Sequence, residues 1–175
     1  MVFGLLGTAI VLTGVAAAWD WRKGEIPNWL TLPVIPVACA FYAWQGGWVM
    51  LGWTLAAAAL CALVPVFLFY KGAMGGGDVK LFIAIGALLG LNLGIETQFV
   101  ALIFASIGAL VRLAWQGKLF QTFKTSALLV TNAFRRKAQR VPPSSDMLTE
   151  VRLGPAIFAA TVCVVLTELW NGGYF

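Results

Sequence analysis

The chain contains no histidine among its 175 residues. That absence removes Ser-His-Asp hydrolysis, Cys-His hydrolysis and histidine-ligated metal catalysis together. Acid–base chemistry then falls to Asp, Glu, Lys, Tyr or Cys. Cysteine is also scarce: Cys39, Cys61 and Cys163 each lie inside an apolar run, and no CxxC pair is formed. They read as small core residues. Without histidine or paired cysteines no zinc site is expected, and the sequence calls for no cofactor. Charge is short as well, at 11% of residues against roughly 25% in soluble proteins.

What remains is 61% hydrophobic, in runs of roughly twenty residues, the length that crosses a bilayer as helix. Eight tryptophans and three tyrosines suit anchoring at the headgroup level. The expectation is an all-α integral membrane protein, a single domain over 1–175, with six transmembrane helices. They are placed near Val2–Trp19, Trp29–Gln45, Trp48–Tyr70, Asp78–Leu93, Thr97–Trp115 and Leu153–Trp170. Pro33 and Pro36 fall inside the second and Pro65 near the end of the third, where membrane helices tolerate kinks. The first run lacks Lys or Arg before it, and Arg22 and Lys23 follow it instead, which favours a retained span over a cleaved signal.

The charge map supports this layout. Arg22, Lys23, Lys71, Lys80, Arg112, Lys118, Lys124, Arg135, Arg136, Lys137, Arg140 and Arg152 are all twelve basic residues. All fall on one side of a six-span arrangement, and the positive-inside rule makes that side cytoplasmic. Gln45-Gly46-Gly47, the Asn92–Glu96 turn and both termini lie outside. The segment Gln116–Glu150 carries Phe120, Phe123, Val130 and Phe134 at near-helical spacing among basic residues. It reads as an amphipathic cytoplasmic helix on the inner leaflet; its phenylalanines fit lipid better than nucleic acid.

Two acidic residues stand at span boundaries, where charge is costly and needs a reason. Asp20 ends the first apolar run, at the negative end of a helix dipole. Read alone, it is either functional or a loop carboxylate balanced by Arg22 and Lys23. Asp78 closes Gly75-Gly76-Gly77-Asp78 and is either a helix N-cap or a reactive group. The three glycines bend freely and leave backbone open to pair with an extended peptide. Between them, Pro27 stiffens the turn and Asn28 is a plausible cap for the second span. Lys80 either biases the charge of Asp78 or snorkels to the headgroups.

Asp20, then Ile26-Pro27-Asn28, then Gly75-Gly76-Gly77-Asp78-Val79-Lys80-Leu81 together resemble the type IV prepilin peptidases, the GxGD-type aspartic proteases of membranes. The resemblance runs from the first span to the last. It implies Asp20 and Asp78 as the catalytic pair, with Gly75 and Gly77 as the glycines of GxGD. Gly154-Pro155 matches a further Gly-Pro of the family, although a proline often found just upstream is Arg152 here. The longer members carry a domain with two CxxC pairs between their first spans, which this chain lacks. It is therefore similar to the compact branch that serves Tad-type pili, or to preflagellin peptidases, and no N-methylation is carried over. The resemblance implies a bacterial inner-membrane enzyme that cuts the short basic leader from a prepilin or pseudopilin precursor at the cytoplasmic face. Glu25 is a candidate contact for that leader. The alternatives are a small ion or solute transporter, a non-catalytic pilus or secretion assembly factor and, remotely, a Ser/Lys peptidase using Ser144 or Ser145. The oligomeric state and the substrate's identity stay open.

Overall fold

A computed structural model of the chain describes residues 2–115 and 152–172. The expected amphipathic helix of Gln116–Glu150, with Ser144 and Ser145, lies outside the described residues. The described secondary structure is all helix: α1 (Val2–Lys23), α2 (Asn28–Thr31), α3 (Val34–Tyr70), α4 (Gly76–Trp115) and α5 (Gly154–Trp170). The stretches Gly4–Lys23, Asn28–Tyr70 and Gly76–Arg112 are long and apolar enough to cross a membrane, and Gly154–Trp170 is a shorter apolar helix. Two compact units are distinguished, Met1–Ala105 with Arg152–Phe175, and Ser106–Val151. Of the second, the described part is 106–115, the C-terminal end of α4, where Ile107, Leu110, Val111 and Trp115 are exposed apolar side chains.

Two of the long helices are broken at glycine. In α3 the helical angles fail at Gly46 (φ −137°, ψ 18°) and Gly47 (φ 63°, ψ −150°), at the Gln45-Gly46-Gly47 turn expected from the sequence. In α4 they fail at Gly90 (φ 77°, ψ −177°). That backbone region is essentially restricted to glycine, which is why the break falls there and Asn92–Glu96, the expected turn, is helical. The chain doubles back at Gly90: a Cβ on Gly94 would lie 3.1 Å from the Gly86 Cα. The second span was expected as one kinked helix. Instead Pro33 separates α2 from α3, yet Leu32 and Pro33 keep right-handed helical angles. The path runs on; what is lost is the N–H that proline cannot donate.

The first half of α4 is the centre of the first unit. Leu81, Phe82, Ala84, Ile85, Ala87, Leu88 and Leu89 are all buried, so every face of this segment is covered, as in a helix that is apolar all round. Alanines and glycines line the contacts, as suits helices that associate by close packing rather than by escape from water. α1 presents Leu6, Ala9, Thr13, Ala16 and Asp20 as one buried stripe at helical spacing and packs against α5. Thr13 and Thr161 return their hydroxyls to the carbonyls of Ala9 and Ile157, both at 2.8 Å, so no buried donor is left open there.

The Gly90 break has a polar consequence. A carbonyl at an interrupted helix end loses its partner four residues on. The Tyr42 hydroxyl, from α3, donates to the Leu88 carbonyl at 3.0 Å. Tyr42→Phe is expected to destabilise the fold by about 1 kcal/mol, read as a lower thermal unfolding midpoint in detergent. An unchanged midpoint would remove this bond from the account.

Candidate active site

Asp20 is only 6% exposed and lies inside α1, which runs to Lys23, four residues beyond the expected end at Trp19. As the last member of the inward stripe it faces the helical core, so it is not a carboxylate in a solvated loop. Its place at the C-terminal end of α1 is electrostatically unfavourable. The compensation comes from another helix. The Gly154 N–H, at the start of α5, donates to Asp20 Oδ2 at 3.0 Å, and the positive end of the α5 dipole points at the same group. A Cβ on Gly154 would lie 2.7 Å from Oδ2 and 2.8 Å from the Asp20 Cβ, so glycine is required for this approach. Pro155 fits the opening turn of α5 because the N–H it lacks would have no helical partner there.

Lys23 is engaged elsewhere. Lys23 Nζ sits 4.7 Å from the centre of the Trp19 ring, a cation–π contact. Trp19 meets Trp29 edge-on at 5.6 Å. Arg152 donates to the Trp21 carbonyl, which joins the chain entering α5 to the end of α1 a second time.

Asp78 is the third residue of α4 and so is not its N-cap. Its carboxylate turns back to accept the Gly75 backbone N–H, one half of the reciprocal arrangement known as a capping box. The first helical bond, from the Val79 N–H to the Gly75 carbonyl, measures 3.3 Å. The glycines before it are explained by what crosses them. A Cβ on Gly76 would meet the Phe69 ring at 3.4 Å; one on Gly77 would meet Ile26 at 3.0 Å from its Cβ and 3.3 Å from its backbone N. Gly76 and Gly77 are thus packed helical residues rather than open backbone.

The α1–α2 connection is fastened across the start of α4. Ile26 is buried against Gly77, and Pro27 is extended (φ −71°, ψ 139°) in the N-cap position of α2, with no side-chain cap. Asn28 was expected to cap this helix; its side chain instead accepts from Lys80 Nζ at 2.6 Å. Glu25 is exposed beside it. Lys80 is therefore tied to the protein rather than to headgroups alone. Lys80→Met is expected to cost about 1 kcal/mol, and Lys80→Arg less, in thermal unfolding of the detergent-solubilised protein; equal midpoints for all three would show the bond to be idle.

These contacts bring the two acidic residues together. Asp20 and Asp78 come within electrostatic reach of one another, although they belong to different helices far apart in sequence. Asp20, Pro27, Asn28, Gly75, Gly76, Gly77, Asp78 and Lys80 form one constellation at the shared end of α1, α2 and α4. Sequence reasoning gave too little weight to Gly154 and Arg152. The available signal was Asp20 itself, since a buried carboxylate at a helix C-terminus needs a donor from elsewhere.

No curated protein and no solved structure matches the chain at a significant level. The model of one family, described as the type IV leader peptidase family, matches residues 7–111. The match covers more than half of the chain and holds every member of the constellation, leaving only Gly154 and Arg152 outside it. The chain thus belongs to the type IV leader peptidase family.

Proposed function

We propose that this protein is a membrane aspartic endopeptidase that removes the short basic leader from type IV prepilin-like precursors at the cytoplasmic face. Asp20 and Asp78 form its catalytic pair. The observation that carries the reading is the fastening of the α1–α2 connection across the start of α4, by Ile26 on Gly77 and Lys80 on Asn28, which leaves Asp20 and Asp78 within electrostatic reach of one another. Membership of the leader peptidase family supports the substrate class. The six-span topology, with both termini outside and the site inside, draws on the basic residues clustering to one side and on the glycine breaks in α3 and α4.

The chemistry follows from two carboxyl groups sharing one proton. The ionised carboxylate takes a proton from a water, whose oxygen attacks the scissile carbonyl carbon. The protonated partner donates to the carbonyl oxygen, giving a neutral tetrahedral diol. Collapse of the diol returns one hydroxyl proton to a carboxylate and delivers the other carboxyl's proton to the leaving nitrogen, so the C–N bond breaks and the pair is restored. Gly75, Gly76, Gly77, Pro27, Asn28 and Lys80 serve by holding the two acids in register, since small displacements of reacting groups are expensive in rate.

The test is co-expression with a candidate prepilin, following leader loss as a gel shift and reading the new N-terminus by sequencing. Cleavage at one site beyond the basic leader is expected. An uncut precursor in the presence of accumulated protein would contradict the proposal, and ion flux in liposomes that ignores substrate peptide would favour a transporter.

A further inference from the structure

We infer that Gly154 is a positioning residue for the peptidase reaction, acting through Asp20: the N-terminus of α5 fixes the orientation of the Asp20 carboxylate. The inference rests on the reading of Asp20 as a catalytic acid, and concerns a helix outside the matched region 7–111.

Three observations carry it. First, the Gly154 N–H is within 3.0 Å of Oδ2, and Gly154 and Asp20 are both buried, so water does not compete for the bond. A donor to a charged acceptor in such surroundings is among the stronger hydrogen bonds a protein makes. Second, the fit is steric as well as polar. A Cβ at 154 would stand inside contact distance of both Oδ2 and the Asp20 Cβ, and the backbone of α1 cannot yield as a flexible side-chain tip would. Third, the entry to α5 is fixed independently, by Arg152 donating to the Trp21 carbonyl and by Pro155 limiting the first turn. The amide is thus presented by a rigid element rather than by a loop. With one oxygen held by Gly154, the rotation of the Asp20 carboxylate is set, and its other oxygen is left for water or substrate.

A purely structural Gly154 would serve only the α1–α5 contact, and that alternative has its own control. Gly14 lies on the same interface, where a Cβ would meet the Phe158 ring at 3.2 Å, away from both acids. Gly154→Ala and Gly14→Ala are purified in detergent and assayed on a prepilin peptide, with rates expressed per folded molecule. Gly154→Ala is expected to lower kcat roughly a hundredfold, the scale of a small misplacement of a reacting group, with KM within about twofold. Gly14→Ala is expected to lower the unfolding midpoint and leave kcat and KM in place. If Gly154→Ala loses only stability, as Gly14→Ala does, the positioning role is overturned. Asp20→Asn runs alongside: if it still cleaves, the catalytic reading of Asp20 fails first, and the inference with it. If it is inactive while Gly154→Ala keeps its kcat, the inference alone fails.

Should Gly154→Ala not accumulate, the native protein decides. With 15N-glycine labelling, the Gly154 amide proton is expected downfield in the wild-type enzyme, as for a bond to a carboxylate. It should move upfield in Asp20→Asn, where the acceptor is neutral. An amide signal indifferent to Asp20→Asn would overturn the positioning role.

Discussion

Asp20→Asn and Asp78→Asn are each expected to abolish leader removal while the protein still accumulates in the membrane. The substitution keeps size and shape. At position 20 an amide oxygen can still accept from the Gly154 N–H, which now donates to Oδ2 at 3.0 Å. At position 78 it can still accept from Gly75, as the carboxylate does. The packing of Ile26 on Gly77 and the Lys80–Asn28 bond involve neither carboxylate. What is lost is proton transfer. An amide neither takes a proton from water nor donates one to a peptide carbonyl, and general acid–base catalysis typically contributes roughly 10²–10⁴-fold. Because the two acids act as a unit, losing either is expected to cost about as much as losing both. Immunoblots of the membrane fraction give the accumulation, and the precursor-to-product ratio gives the activity. An assembly factor would support pilus formation with either variant, so retained function in that setting would point to a non-catalytic role.

Gly86→Ala is expected to destabilise the first unit strongly. A Cβ there would stand 2.8 Å from the Cys61 Cβ, 2.9 Å from its Sγ and 3.0 Å from the Ala57 carbonyl oxygen. None of these is the far end of a flexible chain, so two helix backbones must separate. Gly94, on the returning arm beyond Gly90, lies against the same sulfur, which a Cβ there would meet at 2.8 Å, and any separation disturbs that packing too. Overpacking of this kind costs about 1–3 kcal/mol or more, and the site lies at the N-terminus of the same central segment. The unfolding midpoint in detergent should fall clearly. Gly4→Ala and Gly7→Ala, where a Cβ meets nothing within 4 Å, are expected to leave it unchanged or raise it, since alanine is the better helix former. A Gly86→Ala protein as stable as Gly7→Ala would mean that the three segments are not packed so closely.

The parts of the fold legible in the sequence were those that depend on local chemistry. Apolar runs marked the long helices, and Gly46-Gly47 marked the break in α3, because glycine both ends helices and stands out in a run of large residues. Gly90 was less visible. It is one of several glycines in the Gly86–Gly94 stretch, and the polar Asn92–Glu96 looked the better turn; backbone geometry chose glycine over polarity. The resemblance to a family pattern paired Asp20 with Asp78 and left their separation at rest open. The contacts that bring them together, Ile26 on Gly77 and Asn28 with Lys80, were not anticipated. Asn28 looked like a cap because asparagine caps well, but a long-range lysine claims its oxygen and Pro27 takes the cap position. The Gly154–Asp20 bond was beyond reach of local reasoning, as donor and acceptor lie at opposite ends of the chain and nothing in the spacing pairs them.

The most direct test of the catalytic pair is single-turnover cleavage of a synthetic prepilin peptide by purified wild-type, Asp20→Asn, Asp78→Asn and doubly substituted enzyme in the same micelles. Rapid cleavage by the wild type and equal, background-level rates for all three variants are the predicted result. Appreciable cleavage by either single variant, folded and bound to its peptide, would contradict the account.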